Sequence, residues 1–170
     1  MLPTPVKQKK RFSAACICLL LIATFFLAFE PVRVDGRSMA ETLDNGELLL
    51  VSKAGYFFNE PNRFDVIICR YPDRAGKQFV KRLVGLPGDT VEIRNTILYI
   101  NGSATEEEYI HYPANYYYAA YTLLENEYFV LGDNRSNSND SHLIGPLRRS
   151  QIIGRVLRVF YPFQSMRIVQ

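Results

Sequence analysis

The 170-residue chain has no tryptophan, two histidines and three cysteines, and only one cysteine, Cys69, lies outside an N-terminal apolar run. A lone cysteine excludes an internal disulfide in the body. His111 and His142 are too few and too far apart for a ligand pair, and no Cys/His spacing suits zinc. The expected body needs no disulfide, no metal and no cofactor. Acidic residues are missing locally: residues 1–11 carry Lys7, Lys9, Lys10 and Arg11 and neither Asp nor Glu. Removing those four from the 20 basic residues leaves 16 against 17 acidic ones, so the formal charge of +3 belongs to the tail. A near-neutral body with a basic tail does not look like a nucleic-acid binder. Internal repeats and low-complexity linkers are also absent.

What is present begins with Phe12 to Phe29, 18 residues without a charge. As a helix this run is about 27 Å long, near the thickness of a bilayer core. The preceding cations orient it by the positive-inside rule. The expected organisation is a cytoplasmic basic tail at 1–11, a transmembrane anchor at 12–30 and an extracytoplasmic domain at 31–170. The rival is a cleaved secretory leader, but the run is too long and Phe26-Leu27-Ala28-Phe29-Glu30 lacks a small-x-small end.

The body, with 48% hydrophobic residues over the whole chain, reads as a compact, mainly β domain of antiparallel sheets. Glu47–Lys53, Asp65–Tyr71, Tyr128–Leu131 and Ile152–Phe160 are short apolar strand candidates. Gly55–Arg63 reads as a loop and Pro72–Lys77 as a turn. Thr90–Ile93 and Ile97–Ile100 flank Arg94-Asn95-Thr96 as a hairpin, and Asn101-Gly102 marks the next turn. Val32–Leu43 shows no clear period. Glu106–Glu127, rich in acid and tyrosine, reads best as a peripheral flap packing its rings on the sheet.

One strand candidate, Gln78 to Asp89, carries a lysine among apolar residues. Alternation places Phe79, Lys81 and Leu83 on one face and Val80, Arg82 and Val84 on the other. A lysine on a core-facing side is costly to keep charged, so its pKa falls and it can serve as a base near neutral pH. Most strand lysines instead reach water, and period alone does not say which face is buried. Ser38 in Gly36-Arg37-Ser38-Met39 offers a nucleophile. It is no nucleophile-elbow serine, because Ala40 stands where that motif has glycine. The loop Gly132–Ser141 is full of short polar side chains suited to propping other groups. Arg135 sits at a ligand position and no glycine follows as required, which excludes a calcium loop.

Taken together, these segments resemble type I signal peptidases, the membrane-anchored serine proteases that remove signal peptides from exported proteins. The resemblance runs through four blocks in order: Gly36–Leu43, Arg63–Ile68, Lys81–Asp89 and Gly132–Ser141. The single anchor and Gly36 resemble the shorter, Gram-positive-like branch. The resemblance implies Ser38 as nucleophile and Lys81 as general base. Ser138 would orient the lysine amine by a hydrogen bond. Asp140 would hold the polar loop, and Asp133 and Arg82 would brace the same region. The Ser38 N–H would meet the oxyanion. Gly36 stands where some relatives carry a hydroxyl donor, and glycine supplies none.

Two positions depart from the family pattern: Glu41 replaces a proline and His142 replaces an arginine that would pair with Asp140. Weakened support for the site is expected from the latter, not its loss. Implied partners are preprotein signal peptides with small residues at an Ala-x-Ala end, bound as an added strand, and the lipid bilayer. The expected enzyme is a monomer near the secretion translocon. The alternatives are a self-cleaving repressor of the same Ser-Lys type, disfavoured because an anchor replaces the DNA-binding domain, a plain structural β domain, and a non-catalytic membrane assembly factor.

Overall fold

A computed structural model describes residues 6–71 and 76–169, with side chains omitted for 6–13 and for Phe58. Residues 1–5 of the expected basic tail, and the expected turn at Pro72–Lys77 as far as residue 75, thus lie outside what is described.

Helix α1 (Val6–Ala28) carries the apolar run. Among the described residues no helix is long and apolar enough to cross a membrane. The run does not stay helical to its end. Phe29 already begins β1 (Phe29–Arg33), which pairs antiparallel with β2 (Leu48–Ser52), Phe29 facing Ser52. The Ala28 carbonyl accepts the N–H of Lys53 at 2.8 Å, so the helix end is tied to the sheet without a linker. Helix side chains Leu19, Leu20, Leu21, Phe26 and Leu27 are all more than 60% exposed.

After the one-turn α2 (Gly55–Phe58), which replaces part of the loop expected there, come β3 (Val66–Arg70) and β4 (Gln78–Gly85). A second unit follows: β5 (Thr90–Arg94), β6 (Ile97–Ile100), β7 (Ser103–Ala104) and β8 (Tyr118–Thr122). The chain then returns through β9 (Glu127–Leu131), the short α3 (Ser141–Ile144), β10 (Leu147–Arg148), β11 (Ile152–Tyr161) and β12 (Arg167–Ile168). One sheet runs β1-β2-β11-β3-β4-β9-β10 with β12 added to β11, and the other runs β7-β6-β5-β8. Every strand pair is antiparallel, which bears out the mainly β reading.

The hairpin expected at 90–100 forms with Asn95 and Thr96 at φ 49° and 69°, the left-handed pair that a tight two-residue turn needs. Three apolar clusters fill the molecule. One joins β1, β2 and β11 to Met39 and Leu43, a second holds Ile67, Cys69 and Leu83, and a third seats the smaller sheet on Val84, Phe129 and Leu131. Tyr116, Tyr118 and Tyr121 pack on this third cluster. The tyrosine-rich segment is therefore part flap and part strand, β8 being its second half.

Candidate active site

Strand β4 sits between β3 and β9 and is covered on both faces. Lys81 is 2% exposed and Arg82 1%. Two neighbouring cations thus leave water in opposite directions, and they are treated differently.

Arg82 is fully matched. Its Nε and Nη2 reach Asp133 Oδ1 and Oδ2 at 2.9 and 2.8 Å, a bidentate pair, while Nη1 donates to the Phe64 carbonyl at 3.0 Å. The Tyr109 ring lies 3.8 Å from its guanidinium carbon. Asp133 Oδ2 also accepts the Thr42 hydroxyl at 2.5 Å, which ties β4 to the segment that carries Ser38.

Lys81 has no such match. Among the described residues it joins no ion pair. Its Nζ hydrogen-bonds Ser38 Oγ at 2.7 Å across 43 residues of chain. Burial pushes its pKa below the ordinary 10.5, and Asp140, Cys69 and Asp133 only oppose that trend. Cys69 offers no standing anion, since burial pushes its thiol up to about 12. The result is a buried amine of lowered pKa touching a hydroxyl.

Ser38 is fixed from behind by the polar loop. The Asn134 N–H donates to the Ser38 carbonyl at 3.1 Å and Asn134 Nδ2 to the Arg37 carbonyl at 3.2 Å. Met39 and Leu43 are buried in the first cluster and anchor the chain on the other side. The Ser38 N–H donates to no group among the described residues, leaving it available to an incoming oxyanion. Gly36 has φ +106°, a backbone state that side chains resist. Its N–H donates to Asn45 Oδ1 at 2.9 Å.

Asp140 is fully buried and accepts the Gly132 N–H at 2.9 Å, so it does close the polar loop on itself. Its other oxygen meets His142 Nδ1 at 2.5 Å, and the His142 ring stacks on Tyr116 at 3.8 Å between centroids. The hydrogen bond expected from Ser138 to Lys81 is not made. Ser138 Oγ is buried without a partner among the described residues, packed against Gly132, while the amine turns to Ser38. Glu41, the other departure, accepts the Tyr112 hydroxyl at 3.1 Å.

Other supports were not foreseen. Arg135 is 1% exposed and grips Glu107 with both Nη atoms, at 2.9 and 2.5 Å. Arg63 holds Asp89 at 2.8 Å and joins the second and third blocks. Buried arginine and acid in separate segments were the available signal, but pairing them needs the fold.

In front of the Ser38–Lys81 pair lies a cleft of about 490 Å³, walled by Val32, Val34, Met39, Phe79 and Val80. Gln78 to Lys81 pair with β3 on one side and, among the described residues, with no strand on the other, because β9 pairs only from Arg82 onward. An extended peptide has an open edge there. No three His, Cys, Asp or Glu side chains among the described residues gather as a metal site would need.

The Ser38 hydroxyl thus meets the buried Lys81 amine beside this cleft, and the chain's sequence relatives are signal peptidases. The family model for signal peptidase, peptidase S26, matches residues 8–161. A probable signal peptidase I-1 of Synechocystis sp. is 38% identical over 95% of this chain and 87% of its own length. Signal peptidase I S of Bacillus subtilis is 38% identical over 93% of this chain and 90% of its own length. A crystal structure of a signal peptidase I from Enterococcus faecalis V583 is 37% identical, with a TM-score of 0.49 over 57% of this chain and 97% of that one. By sequence, over nearly its whole length, the chain belongs to the S26 family of signal peptidases.

Proposed function

We propose that the protein is a membrane-anchored serine endopeptidase that removes N-terminal signal peptides from exported preproteins, with Ser38 as nucleophile and Lys81 as general base. The observation that carries this reading is the 2.7 Å hydrogen bond between Ser38 Oγ and an amine that is 2% exposed and, among the described residues, without an ion pair.

Neutral Lys81 takes the hydroxyl proton as Ser38 Oγ attacks the scissile carbonyl. The carbonyl oxygen becomes an oxyanion facing the Ser38 N–H. Collapse breaks the C–N bond, and Lys81 passes its proton to the departing amine. Water then attacks the acyl-serine, again losing a proton to Lys81. The second collapse expels Ser38 Oγ, which recovers that proton, and releases the signal peptide as a free acid. The substrate adds to the open edge of β4, its side chains alternating into the Val34–Phe79 cleft. Small residues at an Ala-x-Ala end are the substrate feature this reading expects there.

The apolar run in α1 supplies the anchor, residues 1–11 stay cytoplasmic and residues 31–170 lie outside. The basic tail and the exposed apolar helix side chains support this arrangement. The protein acts as a monomer at the bilayer, near the secretion translocon. The test is cleavage of a purified preprotein by the parent, Ser38→Ala and Lys81→Ala. Cleavage by the parent alone is expected. Equal cleavage by all three removes the Ser-Lys reading, and none by the parent favours a non-catalytic assembly factor.

A further inference from the structure

The chain beyond residue 161, where the family match ends, is not idle. Strand β12 pairs with β11, Val159 facing Arg167 and Arg158 facing Ile168. Strand β12 and the residue after it bring two side chains, Arg167 and Val169, to the segment that carries Ser38. Val169 is 5% exposed and shares the first cluster with Met39 and Leu43, the residues that flank the nucleophile turn. Arg167 Nη2 donates to the Thr42 carbonyl at 2.6 Å. Both Nη atoms grip Glu47, at 2.7 and 2.8 Å, and Nη1 also donates to the Ser165 carbonyl at 2.9 Å.

Thr42 is the point where two supports meet. Its hydroxyl binds Asp133, which holds Arg82 beside the base, and its carbonyl binds Arg167. Glu47, 3% exposed, uses one oxygen on the Asp44 N–H and so closes the segment 44–47 onto the same guanidinium. A backbone carbonyl and a buried carboxylate facing each other across a turn repel unless a fork of donors lies between them. Arginine has that fork and lysine does not.

We propose that Arg167 is a positioning residue for the reaction: through Thr42 and Glu47 it sets the Ser38 turn at the height where the hydroxyl meets Lys81. It touches neither substrate nor reacting atoms. Its loss therefore lowers turnover and leaves substrate affinity in place, because the open edge of β4 is built without it.

The inference rests on Ser38 being the nucleophile. The test measures kcat and KM on a preprotein-derived peptide for the parent, Arg167→Met, Arg167→Lys and Ser38→Ala, with Tm beside each. Arg167→Met should lose kcat about tenfold or more with KM within about twofold. Added methylguanidinium should restore part of that kcat, since the Arg167 side chain is 36% exposed and its site is open to a small cation. Arg167→Lys should fold with a Tm near the parent's and show an intermediate kcat. Parent-like kcat in Arg167→Lys and Arg167→Met overturns the proposal. So does a loss in Arg167→Met that follows its unfolded fraction and resists rescue. Should Arg167→Met not fold, parent-like kcat in Arg167→Lys alone suffices to overturn it. Cleavage surviving in Ser38→Ala overturns the nucleophile reading and this proposal with it. Loss of cleavage in Ser38→Ala with a parent-like Arg167→Met removes this proposal alone.

Discussion

Gly132 has no room for a Cβ because the carbonyl oxygen of Ser38 occupies that place, with Ser138 Oγ beside it. The polar loop and the nucleophile turn therefore touch backbone to backbone. Gly132→Ala must displace the Ser138 side chain, the Ser38 carbonyl or the loop, and so disturb the Ser38–Lys81 contact. A loss of about 10²-fold in kcat is expected, the usual result of a small misplacement in a positioned site. Gly36→Ala makes the contrast. Nothing lies within 4 Å of a Cβ there, and only the φ of +106° resists it, so about 1–2 kcal/mol of stability should go with a smaller kinetic effect. Denaturant unfolding beside steady-state kinetics separates the two.

As the general base proposed above, Lys81 would set the pH dependence: it would work only when neutral, and burial lowers its pKa from 10.5. kcat/KM should fall as pH drops through that lowered pKa, with an acidic limb well below the range of a free lysine. Stability has the matching sign. Between the lowered folded pKa and 10.5 the unfolded chain holds a proton the folded one lacks, so stability should rise with pH across that window. Lys81→Met should abolish cleavage, raise Tm near neutral pH and flatten the slope. A Tm that falls instead would mean the amine is not buried against its preference.

The Arg82–Asp133 pair is matched and closed to water, at 1% and 0% side-chain exposure. Removing either partner leaves a buried charge alone and should cost about 3–5 kcal/mol. Arg82→Met with Asp133→Leu should cost less than the two single changes added together. Additive losses in chemical denaturation would mean the two groups act independently.

His142→Arg places the residue that the family resemblance implies at this position. The guanidinium can reach Asp140 as His142 Nδ1 does, and lie on Tyr116 where the imidazole now stacks. Activity should be unchanged or higher in a peptide assay. A sharp fall would show that the imidazole itself is needed.

Much of this was legible in the chain. The 90–100 hairpin followed from turn chemistry, while alternation put Lys81 among apolar neighbours and left open which face is buried. Alternation could not say that both faces of β4 are covered, because a period of two has no term for what packs on either side. β1 was hidden since Phe29 continues the apolar run, and only pairing with β2 shows where helix stops. The tyrosine-rich segment resisted reading because its tasks are distant ones: Tyr109 on Arg82, Glu107 on Arg135 and Tyr112 on Glu41. Ser138 was misread in detail, since a motif gives neighbours in sequence but not which way a hydroxyl turns.

The junction at Ala28 and Phe29 has a metric consequence. Helix passes into strand with no slack, and β1 covers about 17 Å in its five residues before the chain turns toward Ser38. With α1 as the anchor proposed above, the nucleophile stands at one fixed altitude over the bilayer. On that proposal a peptide bond would be cut where the emerging chain carries it to that altitude, and the protein would measure depth as well as read side chains.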